Sequence, residues 1–158
     1  MTPKPPRESY VHMTEIVQPG DTNSLGTIFG GKVVSLMDVA GAIAALRHCR
    51  KPVVTVSIDR VDFISPIRLG YIVNVLAAVN YTSRTSLECG VRVLSENPLT
   101  GEHRHTASAY LTFVALDENG HPTPVPPLAP ETDEERRRFE AGQRRHDERV
   151  ERRLREKK

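Results

Sequence analysis

A chain of 158 residues with 22 Lys and Arg against 20 Asp and Glu, net charge +2, is long enough for one domain with its own core. That near balance argues against a phosphate-coating, nucleic-acid-binding role, and no run of about 18 uncharged apolar residues is present to span a membrane. Cys49 and Cys89 stand alone, without CxxC spacing or partnering histidines, so they read as reduced thiols of a cytoplasmic protein with no disulfide or metal framework.

Residues 1–9, MTPKPPRES, carry charge and prolines with no apolar run behind them, and read as a disordered start rather than a secretion signal. Tyr10 to Val17 reads as a short strand. Gly20-Asp21-Thr22-Asn23 is rich in turn formers, and Asn23 or Ser24 is a candidate cap for a helix. From Phe29 to Arg47 the spacing is helical: Phe29, Val33, Leu36, Ala40, Ile43 and Leu46 form one apolar stripe, and the opposite side is mostly small or apolar too. Such a helix is expected to be buried. It carries one carboxylate, Asp38, and burying a charge costs several kcal/mol unless it is paired, so that acid needs a partner or a task.

Pro52 ends the helix, and Val53 to Phe63 alternates as a strand whose parity changes at Arg60-Val61, which predicts a bulge. Tyr71 to Tyr81, Ser86 to Glu96 and His103 to Leu116 are three further strands, separated by turns at 82–85 and 97–101. Tyr71, Val73, Val75, Ala77, Val79 and Tyr81 are expected on one face, and Glu88, Gly90 and Arg92 opposite Leu87, Cys89, Val91 and Val93. The order β-α-β-β-β-β describes an α+β domain over residues 10–120, a curled antiparallel meander round one helix. Residues 121–130, HPTPVPPLAP, read as an extended proline-rich arm, and 131–158 as a charged helical tail with a thin seam of Phe139, His146, Val150 and Leu154. So thin a seam is expected to pack on a neighbouring subunit.

The segments D-T-N-x-x-G-x-x-F-G-G at Asp21 to Gly31, M-D at Met37-Asp38, F-x-x-P at Phe63 to Pro66 and S-R-T-S at Ser83 to Ser86 together resemble the hot-dog fold acyl-CoA thioesterases. The bacterial short acyl-CoA hydrolases and the brain-type acyl-CoA hydrolases are the nearest in pattern, over roughly Val11 to Leu128. The chain departs from the pattern at Gly70-Tyr71, where the family usually has Gly-Asp; that touches strand packing or the rim of the site, and not the catalytic pair.

The resemblance implies hydrolysis of an acyl-CoA to free CoA and a fatty acid. Asp38 would act as general base or as nucleophile, Asn23 would orient the water or the carbonyl, and the free amides at Gly30 and Gly31 would polarise the thioester. Arg84, with Thr85 and Ser86 at a hairpin tip, resembles the family's nucleotide-contacting position, and Arg60 and Arg68 are weaker candidates. No cofactor beyond the substrate's own CoA and no metal is implied; His103 and His105 read as structural. The family forms homodimers, often assembled into hexamers as trimers of dimers, with sites in the interface. Two other readings compete. A hot-dog acyl-CoA dehydratase would pair its acid with a histidine, and none lies between Asn23 and Arg47; a non-catalytic acyl-CoA-binding regulator would ordinarily have lost the acid that Asp38 supplies.

Overall fold

The computed structural model covers all 158 residues. Its core is a five-stranded antiparallel sheet, β1 (Val11–Ile16), β2 (Val53–Phe63), β3 (Ile72–Thr82), β4 (Ser86–Glu96) and β5 (His103–Ala115), in the order β1-β3-β4-β5-β2. The first helix, α1 (Gly30–Cys49), lies in the concave face of the curled sheet, and the second, α2 (Asp133–Glu156), crosses the convex face. This is the α+β hot-dog arrangement that the sequence pattern implied.

Alternation along the strands builds the core. Val73, Val75, Ala77 and Val79 of β3, Leu87, Cys89, Val91 and Val93 of β4, and Ala107, Ala109, Leu111 and Phe113 of β5 are buried with Val33, Leu36, Met37, Ala40 and Ala44 of α1. α1 is less enclosed than its composition suggests. Val39 and Leu46 remain 47% and 40% exposed, and Val54, Val56 and Ile58 of the edge strand β2 are exposed as well. No helix is long and apolar enough to cross a membrane.

Four expectations need correction. The opening residues are ordered: a 3-10 turn over Pro6–Ser9 buries Ser9, whose hydroxyl accepts from the Val79 amide at 2.9 Å, and Lys4 donates to the His48 carbonyl at 2.8 Å. Neither Asn23 nor Ser24 caps α1; its N-cap is Phe29, without a side-chain hydrogen bond. Tyr81 leaves the β3 core face, because the register slips between Val79 and Tyr81 and turns the Tyr81 ring onto Phe139 of α2. The predicted bulge in β2 is present, with Arg60 at φ +50° between register positions Asp59 and Asp62.

The fourth correction concerns the charged tail, which packs on its own sheet. Glu88 of β4, only 1% exposed, receives two hydrogen bonds from Arg145 at 2.8 and 2.9 Å, and Arg149 donates to Asp59 of β2 at 3.1 Å. The helix approaches so closely that a Cβ at Gly142 would lie 2.7 Å from the Tyr81 Cβ. Thr132 caps it in a reciprocal box with Glu135. The arm that leads there is extended as expected and also anchored: Val125 and Leu128 are buried, and the Leu128 amide donates to the Thr82 hydroxyl at 2.9 Å.

Breaking a buried, bidentate pair strands a charge, at a cost of about 3–5 kcal/mol, whereas replacing both partners with apolar groups is close to neutral. Arg145→Ala should therefore lower the melting temperature by about 6 °C or more. The double variant Glu88→Leu/Arg145→Met should recover most of that loss in the same calorimetric scan.

Candidate active site

Asp38 sits midway along α1, half-buried, on the flank that faces β2. The Thr55 hydroxyl of β2 donates to its Oδ1 at 2.7 Å, and Oδ2 has no partner within the chain. Sequence reasoning missed Thr55. Its signal was present, since a strand that follows the helix directly and carries a hydroxyl on one side can reach that helix only at its near edge.

Gly30 and Gly31 open α1. Their amides precede the first turn and donate to no backbone carbonyl, so they remain available to an acceptor outside the helix. A Cβ at Gly31 would stand 2.5 Å from the exposed Phe29 ring, so a larger residue there would have to displace that ring. Eight residues separate Gly30 from Asp38, a rise of about 12 Å.

Asn23 organises the loop that leads into the helix. Its Oδ1 accepts from the Leu25 amide at 3.0 Å and the Thr27 amide at 3.3 Å, and its Nδ2 donates to the Thr27 hydroxyl at 3.0 Å. The loop is tied to the β2–β3 connection, where the Ile28 amide donates to the Ile67 carbonyl and Thr27 bridges to Arg68. Within one chain no hydrogen bond joins Asn23 to Asp38: Asn23 is held inside the loop that runs into α1, and β2 brings Thr55 together with Asp38.

The candidate cations are scattered. Arg84 projects from the β3–β4 hairpin without an ion pair, and its carbonyl accepts from Val125 of the arm. Ser86 shares a hydroxyl–hydroxyl hydrogen bond with Ser83, and the Thr85 carbonyl accepts from Ala115. Arg60, 86% exposed, pairs with Asp62 at 3.4 Å. His103 and His105 hydrogen-bond to the carbonyls of Gly101 and Ala107. Burial raises both cysteine thiols above their ordinary range, so neither is a thiolate nucleophile at neutral pH. A cavity between the sheet's convex face and α2 touches neither Asn23 nor Asp38.

Residues 25–102 match the thioesterase superfamily. An acyl-CoA thioester hydrolase of Bacillus subtilis, itself uncharacterized, is 46% identical over 129 residues, 82% of this chain and 75% of that protein. The chain belongs to the thioesterase superfamily. An apo-hexameric acyl-CoA thioesterase superposes with a TM-score of 0.92 at 45% identity, covering 96% of this chain and 97% of that one. An acyl-CoA hydrolase from Staphylococcus aureus, solved with butyryl-CoA, CoA and CoA disulfide, superposes with a TM-score of 0.89 at 38% identity over 98% and 94% of the two chains. That hydrolase has also been solved with an asparagine, an aspartate or a threonine replaced by alanine. Those three positions lie 15 and then 17 residues apart, the spacing of Asn23, Asp38 and Thr55 here.

If Asn23 holds the loop, Asn23→Ala should release it. Losing an acceptor worth about 1 kcal/mol at each amide should speed hydrogen exchange at Leu25 and Thr27 several-fold. Exchange in β4 should stay unchanged.

Proposed function

We propose that this chain hydrolyses acyl-CoA thioesters to free CoA and a carboxylic acid, at sites built from two copies of itself. The observation that carries the reading is Asp38, held through one oxygen by Thr55 and open at the other, on the uncovered flank of a thioesterase-superfamily helix. Asp38 takes a proton from the attacking water, or attacks the carbonyl itself to form a mixed anhydride, which water then hydrolyses to release the acid and restore the carboxylate. The thioester oxygen gathers negative charge, the C–S bond breaks, and the departing thiolate recovers a proton to leave as CoA thiol. The step balances without any further cofactor.

Geometry supports the sharing. An attacking atom and its carbonyl approach within about 3–3.5 Å, yet the Gly30 amide and Asp38 of one helix are about 12 Å apart. One chain's free amides therefore serve a carbonyl that another chain's Asp38 attacks, and Asn23 travels with the amides. Exposed apolar side chains on α1 (Val39, Leu46) and along the unpaired edge strand β2 (Val54, Val56, Ile58) supply contacts for a second copy. Dimers of this kind, grouped in threes, would give the hexamer seen in the similar thioesterase. In this reading residues 10–120 are the catalytic domain, with the 121–130 arm and the 131–158 helix completing its convex side. Arg84, with Thr85 and Ser86, meets the phosphates of CoA; Arg68, beside the Asn23 loop, and Arg60 are secondary candidates. The compartment is cytoplasmic, consistent with two free thiols and a CoA substrate.

Asp38→Asn should keep the fold and lose at least about 10²-fold in hydrolysis of acetyl-, butyryl- or palmitoyl-CoA, because the amide cannot take a proton. Thr55→Val should cost less, about tenfold, since it removes only the hydrogen bond that orients the acid. Sharing is tested by mixing: inactive Asn23→Ala and Asp38→Ala subunits, exchanged after gentle unfolding, should regain activity approaching half per mixed dimer. Mixed dimers confirmed by tagging that stay as inactive as their parents would show both residues acting within one chain.

A further inference from the structure

Residues 124–128, PVPPL, lie in the arm between the sheet and α2, and their composition leaves them few backbone donors. Proline has no N–H, so within this stretch only Val125 and Leu128 can donate. Both donate to the β3–β4 hairpin: the Val125 amide to the Arg84 carbonyl at 3.0 Å, and the Leu128 amide to the Thr82 hydroxyl at 2.9 Å. The three proline carbonyls are taken up elsewhere. Lys51 Nζ donates to Pro124 at 2.7 Å, His48 Nε2 to Pro126 at 2.7 Å, and the Lys4 amide to Pro127 at 3.0 Å. His48 ends α1 and Lys51 follows it, and the Lys4 ammonium is bound to the same place through the His48 carbonyl. The stretch is a strap with two edges, its amides on the hairpin and its carbonyls on the end of the helix that carries Asp38.

His48 is the enclosed member of this set. It is 0% exposed and Pro126 is buried, whereas Lys4 and Lys51 reach the strap from partly exposed positions. A carbonyl can only accept, so Nε2 carries the proton, and Nδ1, which has no partner in the chain, is a bare acceptor. A buried ring with one nitrogen unsatisfied is costly to keep where an apolar side chain could fill the same space. Contact with the reacting atoms does not account for it: His48 is ten residues beyond Asp38 on one helix, a rise of about 15 Å. Its ring's one hydrogen bond goes to the strap, and the strap holds the backbone of Arg84 while the guanidinium itself makes no ion pair or hydrogen bond in the chain.

We propose that His48 is a positioning residue for Arg84, acting through Pro126 and the strap to fix the β3–β4 hairpin relative to the Asp38 helix. Arginine is a long side chain whose planar fork matches phosphate oxygens in one orientation, so placing its backbone beforehand lowers the cost of ordering it. The Thr85 carbonyl adds a third tie, from the Ala115 amide at the end of β5, so the chain from 115 to 128 holds hairpin residues 82, 84 and 85. Removing the His48 donor strands the Pro126 carbonyl, which lies between the two residues that donate to the hairpin. The part Arg84 plays with CoA rests on the function proposed above; the coupling itself rests on these hydrogen bonds.

The test compares His48→Leu, which keeps bulk and removes the donor, with His48→Gln, whose amide nitrogen can replace Nε2. Hydrogen exchange at the Val125 and Leu128 amides should quicken about fivefold or more in His48→Leu and return toward wild type in His48→Gln. KM for acetyl-CoA should rise by about the same factor with kcat unchanged, and neither constant should move for a small synthetic thioester. In an Arg84→Ala background, His48→Leu should add nothing further to KM. Exchange at wild-type rates at both amides overturns the strap. Equal losses on both substrates, or additive effects in the double variant, make His48 a purely structural residue and overturn the proposal too. Should His48→Leu not fold, Lys51→Met, which removes the Pro124 tie, decides on the same readouts. Quickened exchange in a protein that hydrolyses no acyl-CoA would leave the strap standing and remove the proposed function instead.

Discussion

Five strands cannot close around a twenty-residue helix. Even a barrel of about eight strands has room inside only for its own side chains, and the sheet here ends at β2 on one side and β1 on the other, leaving one flank of α1 open. The features tied to chemistry follow from that opening. Asp38 is on the exposed flank, where its charge keeps access to water, and the strand that borders it supplies the hydroxyl of Thr55. Val39 and Leu46 of α1 and Val54, Val56 and Ile58 of the edge strand β2 are likewise left in solvent.

The convex face answers to a different constraint. A single sheet needs both faces covered or one face polar, and β4 puts a carboxylate, a glycine and an arginine on its outer side. α2 covers the carboxylate end and not the rest. Arg145 neutralises Glu88 and stacks its guanidinium 3.6 Å over the Tyr110 ring, so one side chain joins the helix to two strands. Gly142 permits the approach on the near side, and the small residues of the central strands leave a groove on the far side.

Much of this was legible in the sequence because it depends on local periodicity. The strand alternation, the helix from Phe29 onward, the β2 bulge and the proline-rich arm each declare themselves within about ten residues. What was missed depends on distant partners. Glu88 reads as an ordinary solvent-facing acid on an alternating strand, and only Arg145, 57 residues later, makes it a buried ion pair. The α2 seam looked thin because its binding energy is partly polar: arginines do the packing that apolar residues do elsewhere. The bulge that moves Tyr81 to the outer face has no proline or glycine to announce it. Of the residues assigned to the proposed site, the motif named Asn23, Gly30, Gly31 and Asp38, and Thr55 escaped because its partner lies 17 residues earlier, on another element.

The position of Asp38 also bears on how activity relates to assembly. A carboxylate buried inside one protomer would be costly, and a fully solvated one would work in a medium that weakens every electrostatic contact to the developing oxyanion. A half-buried acid on an open flank avoids the first difficulty in the free chain. On the two-copy reading, the partner avoids the second: its Asn23 loop and helix-start amides arrive together and bring oriented donors, and its apolar flank excludes water from the same space. Folding one chain then leaves the acid poised but incomplete, and the desolvated, donor-lined environment appears only on association. Catalysis and dimer formation would draw on a single surface, so substitutions at Val54 or Ile58 that weaken association would lower activity without touching a reacting group.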